Sequence, residues 1–99
     1  MHLVRALLPH RGPGLCEDSD VAGLIDALWA HSIEADGLEH IRGRGADDCV
    51  ELIIFLRESA GREPELCALD LVTRAHRSSA ALRATFDPHP CAQLCEDFG

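Results

Sequence analysis

The chain contains no lysine, no tyrosine and no asparagine. All nine bases are arginine, set against 17 acids, so the formal net charge is −8. A surplus of acid without lysine excludes the usual cationic nucleic-acid binder, which works by neutralising phosphate. No long apolar run is present: the longest unbroken one is Leu52 to Leu56. A membrane-spanning helix needs about 20 such residues. Nor does the opening stretch, Met1 to Pro9, offer a signal-peptide core or a following small-residue cleavage site. A cytoplasmic location away from membranes is the expectation. Aromatics are scarce, with Trp29, Phe55 and Phe86 the large core candidates.

Five cysteines are many for 99 residues, but the number is odd. Without an export signal that argues against a disulfide framework and leaves packed thiols or a metal site. The length fits one small domain over residues 1–99 and excludes a long solenoid or a two-domain enzyme. Its core is expected over about residues 20–86, with 87–99 as a cysteine-containing tail.

Hydrophobic residues make up 46% of the chain, too many for disorder. Their spacing reads as helical. Val21, Leu24, Ile25, Leu28 and Trp29 recur at i, i+3, i+4, i+7 and i+8, predicting a helix over about 20–31. The segment Arg42-Gly43-Arg44-Gly45 reads as a loop. Asp48, with Glu51 three residues on, resembles a capping box before the apolar run Cys49 to Leu56. A buried strand competes for that run. The aspartate cap, the Arg57-Glu58 continuation and Gly61 as a stop favour a central helix over about 48–60. Pro64 suits a first helical position, predicting a helix over 64–77. Ser78 or Ser79 restarts a shorter one through Ala80, Leu82 and Phe86. A short apolar opening, Leu3 to Leu8, and one last turn after Cys91 complete the reading. The expected fold is all-α: a compact bundle of five or six short helices joined by short turns.

Three groups of residues stand out for function. His89, Cys91 and Cys95 place three zinc-type donors within seven residues, so a zinc ion is the one cofactor with candidate ligands. Arg42 and Arg44 precede the expected 48–60 helix and suit an acidic partner surface. Arg74, Arg77 and Arg83 form a local basic stripe on an otherwise acidic chain, a pattern that fits protein docking or head-to-tail self-association. No nucleophile motif such as Gly-x-Ser-x-Gly or His-Glu-x-x-His occurs, and nothing assembles a nucleophile, a base and an oxyanion site. A non-enzymatic chain is expected.

The apolar helix patterns Leu24-Ile25-Asp26-Ala27-Leu28, Asp48-Cys49-Val50-Glu51-Leu52-Ile53 and Leu69-Asp70-Leu71-Val72-Thr73-Arg74-Ala75 give a further pointer. Over residues 20–86 their order resembles the death-like, effector-associated domains of modular bacterial conflict and signalling proteins. The resemblance implies a six-helix adaptor that recruits protein partners. Two other functions fit the composition. One is an acidic inhibitor, antitoxin or immunity protein whose charge complements a basic partner. The other is a small zinc-binding protein using the His89, Cys91 and Cys95 cluster.

Overall fold

The computed structural model describes residues 1–12, 16–58 and 62–95. Gly61, the expected helix stop, and the tail beyond Cys95 lie outside them. The fold is not a helical bundle. It is a four-stranded antiparallel sheet with helices packed against one face. The strands are β1 (His2–Pro9), β2 (Leu38–Ala46), β3 (Cys49–Leu56) and β4 (Cys91–Leu94). The helices are α1 (Asp18–His31), α2 (Pro64–Ser78) and α3 (Ala80–Thr85), with a 3₁₀ turn at Glu34–Asp36.

The sheet order is β2-β3-β1-β4, with β1 and β3 central. A βαββαβ chain in this order is the split-βαβ, ferredoxin-like arrangement. Its alternation is clear along β3, where Val50, Leu52, Ile54 and Leu56 are buried and their neighbours are half-exposed. In register beside them stand Val4, Ala6 and Leu8 of β1 and Ile41 of β2. This layer meets Val21, Leu24 and Leu28 of α1 and Cys67, Ala68, Leu71, Val72 and Ala75 of α2, forming the core.

Several expectations are corrected by this sheet. The run 49–56 is a strand, not the helix expected over 48–60. Ile53 and Phe55 put apolar side chains on the open side as well, so a period of two is hidden in the letters. Asp48 does not cap a helix. It sits in the turn between the paired residues Ala46 and Cys49 with φ 67°, a left-handed conformation that aspartate tolerates. The Arg42–Gly45 segment is strand, not loop. Its glycines serve close packing: a Cβ at Gly45 would lie 2.1 Å from the Cys16 carbonyl oxygen, and one at Gly43 would lie 2.9 Å from Val21. The opening residues Leu3 to Leu8 lie in β1, and the segment after Cys91 pairs with β1 as the edge strand β4. The six-helix architecture implied by the resemblance to death-like adaptors falls with the all-α reading.

The helices expected at 20–31, 64–77 and 80–86 are present within two residues of their bounds. Pro64 opens α2, and the Ser79 hydroxyl caps α3 by accepting the Leu82 N–H at 3.2 Å. Trp29 is 43% exposed and lies outside the core, whereas Phe86 is fully buried.

Candidate functional site

Among the described residues the helices cover only one side of the sheet. Alternation sends the other residues to the uncovered side: His40, Arg42 and Arg44 from β2, Glu51, Ile53 and Phe55 from β3, and Arg5 and Leu7 from β1. This open face carries three guanidiniums and one carboxylate, and two of the guanidiniums, Arg5 and Arg44, bind that carboxylate. Arg44 stands directly opposite Glu51 and donates to it through Nε at 2.7 Å. Arg5, paired with Ile53 two positions along, donates to the other carboxylate oxygen at 2.7 Å. The Arg5 hydrogen bond is the largest influence holding the Glu51 carboxyl below its usual range; desolvation opposes it, and Arg44 adds to the lowering. Three positive groups against one negative leave the face net positive on a chain of charge −8.

The apolar floor of the face has its own geometry. The Arg42 guanidinium carbon lies 5.9 Å from the Phe55 ring centroid, within cation–π range. His40 meets the same ring edge-on at 5.2 Å. A hollow of about 350 Å³ opens between Arg42, Gly43, Arg44, Glu51 and Ile53. A second, of about 230 Å³, lies by Arg5, Leu7 and Gln93.

The five arginines singled out in the sequence do not form one patch. Arg42 and Arg44 are on the open face, while Arg74, Arg77 and Arg83 are on the helical layer. Arg74 reaches inward, giving Asp36 two hydrogen bonds at 2.9 and 3.2 Å and donating to the His31 carbonyl at 2.9 Å. Arg83 folds back onto the carbonyls of His76 and Arg77 at the end of α2. Arg77 is exposed and lines a hollow of about 360 Å³ with Asp70, Thr73, Arg74 and Ser78. Arg5, which completes the open-face cluster, carries no motif; only the register of β1 against β3 brings it there.

The structure does not bring His89, Cys91 and Cys95 together. Cys91 begins β4, and the Cys95 N–H continues the pairing by donating to the Leu3 carbonyl at 2.8 Å. Four residues of extended chain hold the two cysteines about 13 Å apart, too far to share one ion. Among the described residues the donors that do converge are His10, Cys16 and Asp20, whose ligand atoms lie within 4.8 Å of one another. His10 follows β1, Cys16 precedes α1, and Asp20 stands in its first turn. Burial raises the Cys16 thiol pKa, and the charges of Asp20, Cys49 and Glu17 raise it further. Such a thiol is a poor nucleophile. No helix of the described residues is long and apolar enough to cross a membrane. No protein-family model matches this chain, and no curated protein or solved structure matches it either.

Proposed function

We propose that this chain is a non-enzymatic interaction module whose open sheet face binds an acidic surface of a partner protein. The observation that carries this reading is the convergence of Arg5, Arg42 and Arg44 on an uncovered face of an otherwise acidic molecule. Arg42 and Arg44 are exposed and present planar donor forks suited to carboxylates. Ile53 and Phe55 supply apolar contact beneath them. Glu51 fixes Arg5 and Arg44 before a partner arrives, which lowers the ordering cost of binding. A nucleic acid fits less well, because the face offers one phenyl ring, Phe55, for stacking successive bases.

A labelled peptide alternating glutamate with apolar residues tests this by fluorescence anisotropy. Binding is expected to weaken as salt rises. The double variant Arg42→Glu/Arg44→Glu is expected to lose at least about tenfold in affinity, or about 1.4 kcal/mol, with an unchanged circular dichroism spectrum. Preferential binding of a lysine-rich peptide would contradict the proposal and favour an acidic inhibitor of a basic partner. Preferential binding of single-stranded RNA, or assembly into larger species on concentration, would equally displace it.

A further inference from the structure

His10 is a mostly enclosed imidazole that lacks ordinary partners. Its side chain is 14% exposed, and its Nδ1 is buried with no hydrogen bond among the described residues. Its Nε2 stands 3.6 Å from the Asp20 carboxylate, beyond hydrogen-bond length. A buried polar atom left unpaired costs about 1–3 kcal/mol, so such atoms call for a ligand, an ion or a water. The backbone around it is fixed. The His10 N–H donates to the Asp48 carbonyl at 2.8 Å, and the ring packs edge-on against Phe86 at 5.8 Å. Cys16 is held as firmly, because Gly45 lets its carbonyl seat directly on β2.

We propose that His10, Cys16 and Asp20 form a zinc(II) site with three protein ligands and an open fourth position. Imidazole, thiolate and carboxylate are the donor types zinc takes, and one thiolate with one carboxylate balances its charge. Ligand atoms around a tetrahedral zinc stand about 3.3–3.7 Å apart, so the group within 4.8 Å closes by about 1 Å on binding. The Cys16 thiol passes its proton to solvent as the S–Zn bond forms, so affinity falls as pH falls. The cation supplies a partner for the imidazole, and its charge offsets the burial and the Asp20 and Glu17 carboxylates that disfavour the Cys16 thiolate. Cys49 is near enough for its charge to act on Cys16 but lies outside the converging group. The site does not depend on the open face.

Chelator-treated full chain, titrated with zinc(II) against a competing chromophoric chelator, is expected to bind one ion. His10→Ala, Cys16→Ser and Asp20→Asn are each expected to weaken binding at least about tenfold. Cobalt(II) is expected to give a thiolate charge-transfer band that Cys16→Ser abolishes and that Cys49→Ser, Cys91→Ser and Cys95→Ser retain. Asp20 is partly exposed, so Asp20→Asn reads out the site even if the buried Cys16 does not accept serine. A band that survives Cys16→Ser, that is lost in any of the other three cysteine variants, or that never forms would overturn the assignment. Undiminished affinity in Asp20→Asn would do the same.

Discussion

Truncating Phe86 to alanine is expected to cost about 3–5 kcal/mol, whereas Trp29→Ala is expected to cost less than about 1 kcal/mol. Phe86 is fully buried beyond the end of α3. Its carbonyl lies 2.9 Å from His76 Nε2, its N–H donates to Leu82 at 2.8 Å, and its ring packs edge-on against His10. Alanine there opens a cavity where α3, the end of β1 and α2 meet. Trp29 is 43% exposed, and much of its area never leaves water. For a domain of this size a loss of 3–5 kcal/mol lowers Tm by roughly 15–30 °C. Denaturant titration of both variants checks the pair. Equal losses would place Trp29 in the core, as a helical bundle requires, and would contradict the sheet.

Asp36→Ala is expected to cost about 2–3 kcal/mol, less than the largest losses for broken buried ion pairs because Arg74 retains some solvent. The Asp36 side chain is fully buried. It accepts two hydrogen bonds from Arg74 and one at 2.8 Å from the Ile33 N–H. Arg74 also holds the His31 carbonyl, so one guanidinium ties α2 to the end of α1 and to the 3₁₀ turn. Burial is the largest single influence on Asp36 and opposes its ionisation; the hydrogen bonds from Arg74 and Ile33, with the Arg74 charge, together outweigh it and lower its pKa. The sign follows. A depressed carboxyl gives stability that is fully present above its unfolded pKa of about 4 and is lost as pH falls through the lower folded value. Asp36→Asn therefore flattens the acid limb of stability against pH. Parallel limbs for wild type and variant would show that the pair contributes nothing.

The helices were legible because each has a local signal the structure keeps. Val21, Leu24 and Leu28 form a helical stripe, Pro64 begins a helix, and Ser79 caps one. The sheet was not legible, for reasons that lie in its central strand and its close contacts. With the open face partly apolar at Ile53 and Phe55, the run 49–56 shows no alternation in the letters. The β2–β3 turn is Asp47-Asp48 and lacks the Asn-Gly or Asp-Gly signature of tight hairpins. Gly43 and Gly45 read as loop residues because their reason is tertiary: Val21 and Cys16 occupy the space of a side chain.

The candidate sites divide in the same way. Arg42 and Arg44 are two residues apart, so strand alternation puts both on one face. Arg5 and Glu51 join them through pairing 46 residues apart, which no local pattern reveals. Cys91 and Cys95 stand four positions apart, a spacing that one helical turn would bring together, but β4 is extended and separates them. His10 and Asp20 meet across the connection between β1 and α1, a closure set by the fold and not by ligand spacing.

Amide chemical-shift mapping of the labelled chain during titration with the glutamate-rich peptide tests the central claim most directly. The open-face account predicts shifts concentrated at Arg5, Arg42, Arg44, Ile53 and Phe55, abolished by Arg42→Glu/Arg44→Glu. Shifts confined to α2 around Asp70, Arg74 and Arg77, or no shifts at all, would contradict it.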